Sequence, residues 1–265
     1  MDTTTTEELL VQELDDGILL LTLNRPEARN AATLRIAQCM AAAIDAFEAR
    51  DDLAVAVITG AGGTFCSGMD LKGFLRGEKP RVEGRGFAGI TERPPAKPVI
   101  AAVEGYALAG GFELALACDL IVASQEARFG LPEVKRGLVA SAGGLVRLPR
   151  QLPQRIALEL AMTGDMMPAA RLYECGLINR LVPAGQALDA AIALARSVAD
   201  NSPLAVLTSK RVILESAEWP DAEKFERQRH LVEPVFASPD AREGAAAFAE
   251  KRKPVWTSRA VGAAG

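Results

Sequence analysis

Apolar residues enter this chain as short unbroken runs between turn-forming residues, at 18–23, 53–59 and 99–103. Runs of that length, bounded by Asp, Gly and Pro, predict strands buried on both faces. Residues 9–14 and 17–24 flank Asp15-Asp16-Gly17 and predict a hairpin. After the loop Asn24-Arg-Pro-Glu, Thr33 is placed to cap an alanine-rich helix running to about Arg50. Phe112 to Cys118 predicts a second helix, and a fourth strand starts over 119–123. The strand, turn, helix unit thus recurs without any sequence-level self-similarity. Beyond about residue 143 the pattern turns helical, over 143–149, 154–163, 168–175, 186–200, 203–217, 220–236 and 239–252, with a short strand at 178–182. The predicted organisation is a core over 1–195 followed by a helical region over 196–265, a candidate for oligomerisation.

One stretch fits neither period. Residues 76–95 are charged and glycine-rich and end in Pro94-Pro95. They read either as a loop beside a site or as a plain surface insertion.

Composition narrows the function classes. At 265 residues and 28.0 kDa, with 49% hydrophobic and 24% charged residues, the chain can bury one large core. A net charge of −4 gives no basic surplus for a nucleic-acid partner. No apolar run reaches the roughly 18–20 residues of a membrane span. The acidic start Met1-Asp-Thr-Thr resembles neither a secretory signal nor a transit peptide, which predicts a cytoplasmic protein. Cys39, Cys66, Cys118 and Cys175 are widely spaced and read as reduced thiols; with the lone His230 they form no recognisable metal set.

The candidate chemistry lies in two glutamates. Glu113 follows Gly110-Gly111, and Glu133 follows Gly130-Leu-Pro. Two carboxyls are the smallest equipment for moving water across an activated double bond, one taking a proton from water and one giving a proton to carbon. Gly110 at a helix start leaves a backbone N–H free for a developing oxyanion, and Met69 in Phe65-Cys-Ser-Gly-Met-Asp70 is a candidate second donor. Each motif has a plainer explanation. Gly-Gly-x-Glu also describes a strand-to-helix turn with a surface glutamate facing the helix dipole, and Pro132-Glu133 also describes simple charge complementarity at a helix start. Gly60-Ala-Gly-Gly-Thr-Phe65 lacks the third small residue and the following helix of a dinucleotide fingerprint. Ser67, Ser141 and His230 do not form a hydrolase set, because His230 sits in a charged helical stretch.

These pieces converge. Leu23-Asn-Arg-Pro-Glu-Ala-Arg-Asn30, Phe65-Cys-Ser-Gly-Met-Asp-Leu71, Val103-Glu-Gly-Tyr-Ala-Leu-Ala-Gly-Gly-Phe-Glu-Leu-Ala115, Ala127-Arg-Phe-Gly-Leu-Pro-Glu-Val134 and Gly143-Gly144 resemble, in order, the enoyl-CoA hydratase/isomerase (crotonase) superfamily. The likeness covers about residues 8–257. It implies an α/β, crotonase-like spiral of repeated ββα units with a C-terminal helical oligomerisation region, assembled as a homotrimer or hexamer. It implies an oxyanion hole at Met69 and Gly110 and hydratase glutamates at Glu113 and Glu133. It further implies contacts to an acyl-CoA thioester on the loop Arg25 to Arg29, with Arg25, Glu27 and Ala28 among them, at Asp70, Leu71 and Gly111, and on basic residues such as Lys251, with no cofactor beyond the coenzyme A of the substrate. The implied reaction is enoyl-CoA hydration, with Glu113 as base and Glu133 as acid or the roles reversed. Isomerisation, or a non-catalytic acyl-CoA scaffold, are the alternatives. A finer similarity, in Gly111-Phe-Glu-Leu-Ala-Leu-Ala117 and Arg147-Leu-Pro-Arg-Gln-Leu-Pro153, is to carnitinyl-CoA dehydratases. Their onium substrate would favour aromatic walls, and only 5% of this chain is aromatic.

Overall fold

Strands β2 (Leu9–Leu14) and β3 (Ile18–Leu23) form the expected hairpin, with Asp16 and Gly17 both at positive φ in the turn. The computed structural model describes residues 4–6 and 8–258. A short strand β1 (Thr4–Thr6) pairs with β2 on the outside. From β3 inward every neighbour is parallel: β4 (Val55–Gly60), β7 (Val99–Val103), β9 (Leu120–Ser124) and β12 (Arg180–Val182) complete a seven-stranded sheet. Parallel strands covered on both faces need continuous apolar runs, and all five residues of β7 are buried.

Alternate side chains sort onto the two faces. Leu19, Leu21 and Leu23 pack with Ile36, Met40, Ile44 and Phe47 of α1 (Leu34–Ala49) in the larger core. Ile18, Leu20, Val55 and Val57 pack with Ala191 and Ala195 of α7 (Ala187–Ala199) in the smaller one. Thr33 caps α1 as expected, its hydroxyl accepting from the Ile36 N–H at 3.1 Å. The other end of α1 is closed by a residue the sequence did not single out. Lys97 is fully buried, and its ammonium donates to the carbonyls of Phe47, Arg50 and Leu53.

The elements that place the site form a second layer absent from the sequence reading. Strand β8 (Tyr106–Leu108) lies parallel to β10 (Arg128–Gly130), which pairs antiparallel with β11 (Met167–Pro168). An isolated parallel bridge joins Cys66 to the other side of β8. Cys66, Ala107 and Phe129 are therefore level with one another, on three successive turns of the spiral. A helical segment follows each: α2 (Leu71–Leu75), α3 (Gly110–Ala117) and a 3-10 turn over Pro132–Arg136. The third helix begins at Gly110, two residues earlier than the pattern indicated. The charged 76–95 stretch is partly ordered, as a small hairpin of β5 (Arg81–Val82) and β6 (Gly86–Phe87), and buries Ala88 and Ile90 in the core.

After Glu133 come α4 (Gly144–Gln151), α5 (Gln154–Thr163) and α6 (Ala169–Glu174), and beyond α7 the chain continues as α8 (Pro203–Glu215), α9 (Lys224–Phe236) and α10 (Pro239–Glu250). Lys210 ties α8 to the core, donating to Pro95 O, Lys97 O and the Asp119 carboxylate. Among the described residues, no helix is long and apolar enough to cross a membrane.

Candidate active site

The level alignment of Cys66, Ala107 and Phe129 fixes what comes next on each turn. Three residues past Cys66 is Met69, three past Ala107 is Gly110, and four past Phe129 is Glu133. All three line one cavity of about 500 Å³ together with Glu113.

The two backbone donors stand on adjoining turns. Gly68, at φ 103°, lies against the second turn: a Cβ there would sit 2.8 Å from the Ala109 Cβ and 3.4 Å from the Gly110 nitrogen. Around Met69, the bridge to Ala32 runs through the Ala32 N–H to Gly68 O and the Asp70 N–H to Ala32 O, so Met69's own N–H stays outside it. Ala109 has φ 52° and ψ −129°, a region L-residues rarely enter. Its N–H is held by Gly130 O at 2.9 Å, and the strain turns the next peptide so that Gly110 opens α3 at the cavity wall. Glycine is needed at both positions for different reasons. A side chain on Gly110 would enter the Phe87 ring, whose carbons lie 2.5 to 2.8 Å from its Cβ position, and one on Gly111 would strike the Cys66 carbonyl.

The glutamates occupy opposite environments. Glu113 is 2% exposed, so it is no surface charge. Its Oε1 accepts from the N–H groups of Ala142, at 2.7 Å, and Gly144, at 2.8 Å, at the start of α4. Burial pushes its pKa up, while these two bonds and the nearby Arg147 charge pull it back. Glu133 is half-buried, and its Oε2 has no hydrogen-bond partner in the structure. Burial, augmented by the neighbouring Glu113 charge, raises it to about 7. Burial leaves both carboxyls raised, but Glu113 has two N–H donors and a nearby guanidinium to stabilise a negative charge, whereas the buried Oε2 of Glu133 has no partner.

The remaining wall divides by chemistry. Leu71, Phe74 and Phe87 are apolar, and Arg29, Lys79, Arg81 and Arg136 are basic. Arg81 is paired with Glu92 at 2.9 Å, while the Arg29 guanidinium stands 5.8 Å from the Tyr106 ring centre. The charged 76–95 stretch is therefore a wall of the site: it supplies Lys79, Pro80, Arg81, Phe87 and Glu92. A second cavity, of about 430 Å³, adjoins the first across Glu133 and Val139 and is lined by Leu131, Leu145, Leu148, Leu158 and Met162.

Of the residues named from sequence, Met69, Gly110, Glu113, Glu133 and Leu71 meet in the first cavity. Arg25 and Asp70 are engaged with each other at 2.9 Å, and Asp70 also caps α2 through the N–H groups of Lys72 and Gly73. Glu27 and Ala28 lie in the 3-10 turn Pro26–Ala28, with Glu27 exposed. Gly111 is buried against Cys66, and Lys251 is the left-handed cap of α10. Lys79 and Phe87 are cavity residues not among the contacts expected from sequence. Arg29, the last residue of the expected contact loop, does line the cavity, and the charge of the 76–95 stretch was the signal for Lys79. Ser67 and Ser141 also line the cavity, but His230 is exposed on α9.

A spiral of this kind with two backbone donors and two carboxyls facing one cavity defines a crotonase-type acyl-CoA enzyme of the hydro-lyase class. The chain belongs to the enoyl-CoA hydratase/isomerase family, whose model matches residues 13–259. It is similar to an enoyl-CoA hydratase from Mycobacterium tuberculosis of known structure, with a TM-score of 0.93 and 57% identity over 95% of this chain and 99% of that one. It is also similar to a carnitinyl-CoA hydratase structure from Mycobacterium avium, with a TM-score of 0.76 and 44% identity over 96% of this chain and 99% of that one. Among curated proteins it is 44% identical to a carnitinyl-CoA dehydratase of Salmonella enteritidis over 91% of this chain and 95% of that protein. It is 42% identical to a mevalonyl-coenzyme A hydratase of Aspergillus fumigatus over 95% and 96%.

Proposed function

We propose that this chain is an enoyl-CoA hydratase, reversibly adding water to a 2-trans-enoyl-CoA thioester to give the 3-hydroxyacyl-CoA. One observation carries the reading: two carboxyls face one cavity, Glu113 accepting from two N–H donors of the α4 start while the buried Oε2 of Glu133 has no partner. The thioester oxygen sits between the N–H groups of Met69 and Gly110. They stabilise the enolate-like charge by about 3–4 kcal/mol per donor. Glu113 takes a proton from water as its oxygen attacks Cβ, and protonated Glu133 delivers a proton to Cα. In the reverse direction the same proton inventory runs backward.

The basic residues Arg29, Lys79 and Arg136 suit the phosphates of coenzyme A, and no further cofactor is required. The second cavity, apolar apart from Glu133 and Gln154, suits an uncharged acyl tail passing Glu133. A second reading, hydration of a trimethylammonium-bearing enoyl-CoA, draws on the carnitinyl-CoA relatives and on the Phe74 and Phe87 rings in the first cavity. The exposed phenylalanines of the C-terminal helices support assembly as a homotrimer or hexamer through residues 196–265.

Following loss of the conjugated thioester absorbance with crotonyl-CoA, and separately with the onium-bearing substrate, tests both. Turnover of crotonyl-CoA that collapses in Glu113→Gln is the expected result. Preferred turnover of the onium substrate would replace the first reading with the second. No turnover of either would remove both.

A further inference from the structure

Arg147 is placed where charge alone would not put it. It lies in the first turn of α4, where the helix dipole repels a cation. It is half-buried, and no carboxylate forms an ion pair with it among the described residues. Its guanidinium instead donates to the Thr91 carbonyl at 2.6 Å. It also stands against the Gly143 turn, its guanidinium carbon 3.3 Å from where a Gly143 Cβ would sit. That turn is the peptide segment between Ala142 and Gly144, whose N–H groups hold Glu113. Gly144 itself approaches the carboxylate, with its Cβ position 3.1 Å from Glu113 Oε1. One arginine therefore braces both the donors on Glu113 and, through Thr91, the segment that carries Glu92 of the cavity wall.

We infer that Arg147 is a positioning residue for the reaction: braced on Thr91 and set against the Gly143 turn, it fixes the Ala142 and Gly144 N–H donors on Glu113 and so orients that carboxylate as the base. The inference rests on the hydratase reading above only for its kinetic consequence. The charge on Arg147 lowers the pKa of Glu113 against the raising effect of burial. The other groups around Glu113 are accounted for. Glu133 and Arg136 face from the 3-10 turn, with Glu133 the proton carrier, and Glu92 borders the cavity but is tied to Arg81. Cys118, farther along α3, is a buried thiol pushed well above its ordinary value and stays neutral.

Two variants and two measurements test this. In Arg147→Met, kcat/KM for crotonyl-CoA hydration falls on the order of tenfold near pH 6 and recovers toward wild type at higher pH, because the base now needs a higher pH to ionise. The loss lies in kcat more than in KM, and Arg147→Lys restores part of it. Carbon-13 NMR of labelled glutamate carboxyls, with Glu113 assigned through Glu113→Gln, shows the Glu113 titration moving up in Arg147→Met and less in Arg147→Lys. An Arg147→Met profile that superimposes on wild type after scaling, or a Glu113 titration that stays in place in Arg147→Met, would overturn the inference. If wild type turns over no enoyl-CoA the hydratase reading fails, and the NMR titration still decides the role of Arg147. Should Arg147→Met not fold, Arg147→Gln carries both measurements with the same expected shifts.

Discussion

The spiral core and the C-terminal helices solve the same burial problem in opposite ways. In the core, β3, β4 and β7 are covered on both faces by helices of the same chain, and even the ammonium of Lys97 finds three carbonyls. In the tail, α8 and α9 bury no residue fully, and Phe225, Phe236 and Phe248 are 78%, 80% and 88% exposed. Large apolar side chains left in solvent in this way mark a surface meant to be covered. The contrast teaches a division of labour: every group of the proposed chemistry is set by the core, while the tail carries the exposed apolar face on which the proposed assembly rests.

Four changes would break or sharpen that division. Glu113→Gln, the largest, lowers kcat about 10²–10⁴-fold in the thioester assay while size-exclusion chromatography shows unchanged assembly. Loss of assembly along with activity would tie the two regions together. Next, Lys97→Met strands three carbonyls at the end of α1 and lowers stability by about 2–4 kcal/mol, read from the denaturant midpoint. Phe236→Asp acts on the other side of the comparison. It weakens association by about 1.5–3 kcal/mol, seen as a shift to smaller species on dilution, with core unfolding unchanged. If the elution position does not move, the tail does not assemble through this residue.

The smallest effect separates folding from chemistry inside the core. The Glu133 carboxyl rises from an ordinary 4.5 to about 7 in the folded protein. The native state thus holds this proton more tightly, and its stability falls as pH climbs from about 4.5 to about 7, then levels. Glu133→Gln removes that loss. It gains about 1–2 kcal/mol at pH 8, less than full linkage because the carboxyl is partly open to solvent, and nothing at pH 4. Thermal unfolding at the two pH values reads the difference. Equal stability at pH 8 would mean that Glu133 titrates normally.

Much of this was legible in the sequence, for identifiable reasons. Double burial turns β3, β4 and β7 into continuous apolar runs, and Thr33 announces α1 by its capping chemistry. Glu113 and Glu133 stand out beside Gly and Pro. What stayed hidden has no side-chain signature. Strands β8 and β10 are three residues long, too short for a period. The donors that bury Glu113 safely are main-chain N–H groups some 30 residues later in the chain, at Ala142 and Gly144. Arg25 and Asp70, read as ligand contacts through a resemblance, spend their charges on each other and on the α2 cap. Such pairing depends on which segments meet in space.

The level alignment of Cys66, Ala107 and Phe129 has a further consequence. Each functional position hangs from its own short strand, so the length of chain between one strand and the next is free to vary. The exposed turns between Arg76 and Glu83 could grow or shrink, changing what fits beside Phe87, without displacing Met69 from Gly110, while Ala88, Ile90, Thr91 and Lys97 stay tied to the core. The spiral thus holds its paired backbone segments as a fixed frame, with the exposed turns between them as the variable part.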